Sequence, residues 1–233
     1  MPQTLIQTIP MLPFGMLNAF LVVQDQRAIL IDTGLPGSAP RVEAALRVHG
    51  LDWSAIALIV LTHAHIDHAG SAVELRSLSD APIIAHEAEI PYCQGEPPVL
   101  RPTDTFARLF RLTGAIERPF PRFEPDRVMT GDRLDLAPDG FAARLLHTPG
   151  HTPGSLSILL ETGSVFAGDL VASGVLLGGI IRKGRPKPPP FEEDSRAVKT
   201  SLRRLLVEGM ETFYLGHGGP LPRETVRRFV AQE

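Results

Sequence analysis

Cysteine is nearly missing from this chain of 233 residues: Cys93 stands alone. That excludes an internal disulfide and any zinc cage built from thiolates, and leaves Cys93 the role of a small buried side chain. No apolar run approaches the length of a membrane span. The opening, Met1 to Val23, lacks a basic start and is broken by Pro10, Pro13, Gly15 and Asn18, so it does not read as a signal peptide and a cytoplasmic location is expected. Positive charge is not in excess either. A net charge of −3 and a pI near 6.2 give no general attraction to nucleic acid. There is no G-x-S-x-G elbow, no phosphate-binding glycine loop and no nucleotide fingerprint. What remains is 43% apolar and 21% charged, with a mean hydropathy of +0.06, as in an ordinary globular protein. The length fits one domain over 1–233.

Histidine is unevenly spread. Three of the eight histidines fall in Thr62-His63-Ala64-His65-Ile66-Asp67-His68-Ala69-Gly70, directly after the apolar run Leu58 to Leu61, which has the length and branching of a buried strand. In extended chain alternate side chains share a face, so His63 and His65 can reach one ion together. Asp67 and His68 follow on a turn and point elsewhere, which suits a second ion. The spacing reads as half of a metal site.

Around it the chain alternates strands and helices in two similar halves. Asn18–Val23 and Ala28–Asp32 form a hairpin, and Ser38 caps a helix carrying Val42, Ala45, Leu46 and His49. A helix with Val73, Leu75 and Leu78 and a strand at Ile83–Ala85 follow the histidine turn. His49 and His86 read as structural. From Glu87 to Asp126 proline recurs around one helical piece near Phe106 to Leu112, as in a lid-like excursion; the apolar side chains Phe106, Leu109, Phe110 and Leu112 either roof a pocket or pack on the body. Strands return at Arg133–Leu136 and Phe141–Leu146, then at Ser155–Leu160 and Val165–Ala167. Asp194 or Ser195 caps a helix with Val198, Leu202, Leu205 and Leu206 on one stripe, before a strand at Thr212–Leu215 and a last helix opened by Pro222.

Three further strands end in a glycine-flanked ligand: Ala142–Leu146 before His147-Thr148-Pro149-Gly150-His151, Val165–Ala167 before Gly168-Asp169, and Phe213–Leu215 before Gly216-His217-Gly218. Glycine permits the tight turn and the close approach of backbone to an ion. A catalytic zinc takes about three protein ligands and keeps a position open. Five histidines and two aspartates are too many for one ion and suit two that share a carboxylate.

Thr62 to Gly70, Thr148 to Gly154, Gly168-Asp169 and Gly216-His217-Gly218 resemble the successive motifs of the metallo-β-lactamase superfamily, and so do the Asn-Ala-Phe-Leu-Val strand and the Ile-Asp-Thr-Gly turn near the start. The resemblance implies an α+β fold, a four-layer αββα sandwich with metals at the sheet edge. It also implies His63, His65 and His151 on one metal, Asp67, His68 and His217 on another, and Asp169 between them, with Asp67 the catalytic side chain; His147 lies outside that pattern. Nitrogen and oxygen without sulfur fit two zinc ions and also admit iron or manganese.

The chemistry expected is hydrolysis of an ester, thioester or lactone by a metal-activated water. Asp169 and the absent signal peptide argue against an antibiotic-degrading enzyme, and about one helix after His217 is too little for the added domain of glyoxalase II. The rival is a mononuclear iron persulfide dioxygenase of the same superfamily. The partner expected is a small molecule, with neither nucleic acid nor membrane. Arg182, Lys183, Arg185 and Lys187 put four positive charges in one proline-rich run after the strand that delivers Asp169, as an entrance for an anionic substrate would.

Overall fold

The computed structural model describes residues 4–232. Two six-stranded sheets dominate it. The first runs, in spatial order, Leu5–Leu12, Leu17–Gln24, Arg27–Ile31, Ile56–Val60, Ile83–His86 and Arg127–Met129; the second runs Leu221–Pro222, Thr212–Tyr214, Ser164–Phe166, Leu156–Leu160, Ala143–His147 and Arg133–Asp135.

Alternation along each strand makes the layers, because successive side chains leave a strand on opposite faces. Ile29, Ile31, Leu58 and Val60 meet Leu145, Ile158 and Phe166 in the core between the sheets. Their neighbours Ala28, Leu30 and Ile59 face outward and bury Val42, Leu46 and Leu75 from the helices Ala39–Val48 and Ala72–Ser79. On the second sheet Leu146, Leu159, Val165 and Phe213 receive Val198, Leu202, Leu205, Val226 and Val230 from the helices Ser195–Val207 and Arg223–Ala231. The result is the expected helix-sheet-sheet-helix sandwich. Each fully buried Leu, Ile or Phe contributes about 1.5–3 kcal/mol.

The helix Ser195–Val207 shows how local sequence enforces this. Asp194 caps it by accepting from the N–H groups of Arg196 and Ala197, and Val198, Leu202 and Leu205 repeat at the spacing of one helical face. At the other capped site the expectation differs: Ser38 has no side-chain bond to the helix it precedes, because its hydroxyl donates to Leu35 O at 2.7 Å. Two strands at the edges of the first sheet are among those that escaped the sequence pattern. Leu5–Leu12 is an edge strand whose pairing shifts register between Pro10 and Leu12, a setting that tolerates proline. Arg127–Met129 is three residues long and pairs in parallel with Ile83–His86.

That parallel pairing explains the proline-rich stretch, since parallel neighbours need a crossover of a dozen or more residues. Residues 87–126 are that crossover. They are tied to the other half of the molecule where Arg101–Pro102 pairs with Phe191–Glu192. The helix Thr105–Arg111 turns Ala107 and Phe110 toward Leu100 and Phe191, while Leu109 and Leu112 are 63% and 83% exposed. The four apolar residues, expected either to roof a pocket or to pack on the body, therefore do not act as one face: Phe110 packs inward while Leu109 and Leu112 face outward.

The strands preceding the glycine-flanked ligands deliver them to one edge. Ser164–Phe166 and Thr212–Tyr214 are parallel, and Ala143–His147 runs in the same direction because two antiparallel pairings separate it from Ser164–Phe166. Loops of the two halves are stitched together there by Leu156 N–H to Thr62 O and Asn18 N–H to Gly216 O, both 2.8 Å. Among the described residues no helix is long and apolar enough to cross a membrane.

Candidate metal centre

The strand Ile56–Val60 leads through Leu61 to Thr62, and the chain then makes a single helical turn, Ile66–Ala69, carrying Asp67 and His68. Gly70 closes the turn where a side chain has no room: a Cβ there would run into Ile66 O and lie 2.7 Å from Pro36 N. His63, His65 and His68 are all buried.

Three imidazoles meet first. His151 Nε2 lies 3.1 Å from His63 Nε2 and 3.1 Å from His65 Nδ1. Nitrogens about 2.1 Å from one tetrahedral ion sit about 3.4 Å apart, close to this spacing. A second group joins Asp67, His68 and His217, and a third joins His63, His68 and Asp169, each with its ligand atoms within 4.8 Å of one another. Asp169 stands between: Oδ2 is 3.1 Å from His217 Nε2 and 3.7 Å from His151 Nε2, and Oδ1 is 3.5 Å from His68 Nε2. All seven expected ligands are thus brought to one spot.

The far sides of the rings are held by oxygen. His151 Nδ1 donates to Phe191 O at 2.9 Å and His217 Nδ1 to Met16 O at 2.5 Å. Asp32 is a residue behind the rings that the sequence motifs did not mark as part of the site. Its Oδ2 lies 2.8 Å from His68 Nδ1, its Oδ1 accepts Thr62 N–H at 2.7 Å, and the Thr62 hydroxyl that also meets it lies 3.0 Å from His63 Nδ1. The signal was a carboxylate closing an apolar strand, read only as part of a turn. Partners of this kind fix tautomer and ring direction in metal sites.

The charges divide the centre in two. Burial, reinforced by neighbouring imidazoles, holds His63 well below the usual histidine range and His65 down to about 3. Burial also lowers His151 against the pull of Asp169. His68 and His217 go the other way: burial would lower them, but the carboxylates beside them prevail, lifting His68 to about 9 and His217 well above its ordinary value. Burial opposes ionisation of Asp67, yet His68 and His217 bring it down to about 2. Asp169 is lowered further by the same imidazoles acting against burial.

Several buried atoms are left without a partner, among them His68 Nε2, Asp67 Oδ1 and Asp169 Oδ1. Buried polar groups are rarely left so, and these three belong to the clustered side chains. The donor set and the orphaned atoms fit bound cations. Other histidines lie outside: His86 and His147 stack on each other with centroids 3.8 Å apart, and His147 Nε2 donates to Pro153 O. Of the basic run, Arg182, Lys183 and Arg185 are exposed, whereas Lys187 is half-buried and its ammonium donates to Leu176 O. A cavity of about 120 Å³ opens beside His65, walled by Ile66, Tyr92, Pro97, Pro98 and Phe120.

The profile of the metallo-beta-lactamase superfamily matches residues 12–217. The chain is 28% identical to the probable metallo-hydrolase YflN of Bacillus subtilis (strain 168), over 85% of this chain and 78% of that one. It is 30% identical to the hydroxyacylglutathione hydrolase GloC of Haemophilus influenzae, over 86% and 85%. Among solved structures, TTHA1623 in a di-iron-bound form superposes with a TM-score of 0.64 at 29% identity, covering 98% of this chain and 97% of that one. Fold, motif order and these relatives agree: the chain belongs to the metallo-beta-lactamase superfamily, which has metallo-hydrolases among its members.

Proposed function

We propose that the protein is a dinuclear metal-dependent hydrolase of an ester, thioester or lactone, working in the cytoplasm. His63, His65 and His151 would hold one ion, and Asp67, His68 and His217 the other, with Asp169 placed to serve both. The observation that carries this reading is the position of Asp169, whose Oδ2 lies between His151 of one group and His217 of the other while Oδ1 faces His68. When bound, such ions lower the pKa of water and polarise a substrate carbonyl. The chain does the rest. Asp32 and the carbonyls of Met16 and Phe191 hold the imidazoles in the tautomer that presents a lone pair. Asp67 has a side chain 14% exposed, more open than the buried histidines, and would take a proton from the attacking water.

Two zinc ions suit the donor set, and the di-iron-bound neighbour keeps iron beside zinc as a candidate. A mononuclear iron dioxygenase would leave Asp67, His68 and His217 assembled without use, so their convergence favours hydrolysis. The hydroxyacylglutathione hydrolase among the relatives favours a substrate with an acyl group.

The substrate is a small anionic molecule with an apolar part. Gly178 packs on His217 and Gly179 on Gly15, so the loop 174–182 and the turn 13–15 both lean on the His217 segment. They expose Phe14, Val175, Leu176 and Ile181 beside Arg182, Lys183 and Arg185. Metal analysis of the purified protein, with a panel of esters, thioesters and lactones of both charge types, tests the whole reading. Two equivalents of metal and turnover of anionic acyl substrates support it; oxygen consumption with one iron overturns it.

A further inference from the structure

Glu89 is 1% exposed, and among the described residues no cation pairs with it. A buried carboxylate is costly unless its oxygens are well supplied with donors. Here each oxygen is supplied from a different loop. Oε2 accepts the N–H of Ala64 at 2.8 Å, and Oε1 accepts the hydroxyl of Thr152 at 2.5 Å and the N–H of Gly154 at 2.9 Å. Ala64 sits between His63 and His65, and Thr152 directly follows His151. One side chain therefore ties together the two loops that carry the three converging imidazoles.

We propose that Glu89 is the positioning residue of the His63, His65 and His151 group, holding its two loops at the separation at which the three ring nitrogens meet one ion. The inference rests on the dinuclear reading above and deepens it. The loop after His151 is shaped for this carboxylate: a Cβ on Gly154 would lie 2.7 Å from Glu89 Cγ and 2.8 Å from its Oε1, so only glycine lets the backbone come this close. Thr152 is further set by Ser155, whose Oγ accepts the Thr152 N–H at 3.0 Å and lies 2.8 Å from the hydroxyl that donates to Glu89. Burial, opposed by the hydrogen bonds from Thr152, Ala64 and Gly154, lifts the Glu89 carboxyl to about 6, so at neutral pH it is an anion with accepting oxygens on both sides. Its hydrogen bonds go to Ala64, Thr152 and Gly154 and none to Asp67, His68 or His217, so its effect falls on one group of the two. Glu89 also opens the 87–126 crossover, which places Tyr92 in the cavity wall beside His65.

The test is Glu89→Gln, which keeps the shape but turns an NH₂ toward the donors of one loop. Zinc affinity is read by chelator competition in two backgrounds. With His217→Ala, where the His63 group holds the remaining ion, Glu89→Gln should weaken binding about 10- to 100-fold, the range found for outer partners of metal ligands. With His151→Ala, where the other group holds it, the change should stay within about threefold, a small fraction of that range. Equal affinities with and without the substitution in the first background overturn the proposal, as does an equal loss in both, which marks a general structural role. If Glu89→Gln does not fold, Thr152→Val removes one of the three donors and should weaken the same ion alone; no change there overturns the proposal. A wild-type protein that binds no ion refutes the dinuclear reading, and this inference falls with it.

Discussion

Asp32 Oδ2 lies 2.8 Å from His68 Nδ1 with both side chains out of reach of solvent. The same carboxylate, through the Thr62 hydroxyl, reaches the back of His63, so one residue orients an imidazole in each half of the centre. Its backbone sits at φ +61°, a left-handed conformation unusual outside glycine that costs of order 1–3 kcal/mol. Asn tolerates that conformation and keeps the size of the side chain, so Asp32→Asn isolates the chemistry. Its amide would oppose a donor on one side. Metal affinity should fall about 10- to 100-fold with the fold intact; chelator competition that matches the wild type would show that Asp32 does not orient the ligands.

The divided charges predict how metal uptake depends on pH. His63, His65 and His151 are held below the usual histidine range, so they are unprotonated at neutral pH and their affinity should change little above pH 6.5. His68, raised to about 9, and His217 must lose protons before they can bind. Uptake by that group should release protons at pH 7 and tighten as pH rises toward 9. Calorimetry in buffers of different ionisation enthalpy reads this directly, and a second ion that binds with no proton release would contradict it.

The metal-free protein carries the complementary signature. A histidine raised from 6.5 to about 9 contributes stability that is fully present below pH 6.5 and is lost as pH climbs through about 9. Thermal unfolding of the metal-free form should therefore occur at lower temperature at pH 9 than at pH 6.5. A Tm that rises across that interval would place the His68 proton elsewhere.

Gly216 is a point of close approach. A Cβ there would run into Asp169 Oδ1 and lie 2.6 Å from His68 Cε1. Gly216→Ala should push both ligands aside and cost activity about 100-fold, as misplacement by about an ångström does in active sites, and metal content should fall with it. Full metal content with unchanged turnover would mean that the carboxylate has slack the structure does not show.

The exposed cations give a charge-selective prediction. Changing Arg182, Lys183 and Arg185 to Gln should raise KM for an anionic substrate, more at low salt than at high salt, and leave a neutral ester nearly unchanged. Lys187 is left out because its ammonium is engaged with Leu176 O. Equal kinetics toward both substrates at low ionic strength would assign these charges to solubility.

The sandwich was legible because its strands announce themselves: Ala28 to Ile31 is an unbroken apolar run, as in a strand buried on both faces, and each ligand sits just past such a run. The edge strand Leu5–Leu12 was not, because Pro10 speaks against a strand unless its place at the rim is known. Arg127–Met129 is too short to show a period. The role of residues 87–126 depended on that missed strand, since a crossover cannot be recognised until both of its ends are seen. Within the site, the ligands were visible by type and spacing, but Asp32 and Glu89 were not. Each acts through hydrogen bonds to groups 25 or more residues distant, and nothing in the local sequence marks a carboxylate as facing the back of a ligand loop.

The central claim is that Asp169 joins two ions in one reactive centre. The most direct measurement is the metal content and hydrolytic rate of the wild type and of Asp169→Ala, titrated with zinc from the metal-free form. The account predicts two equivalents bound by the wild type, with activity complete only at the second, and a severe loss of both tight binding and turnover in the variant. A wild type that saturates at one equivalent, or an Asp169→Ala protein with full activity, would contradict it.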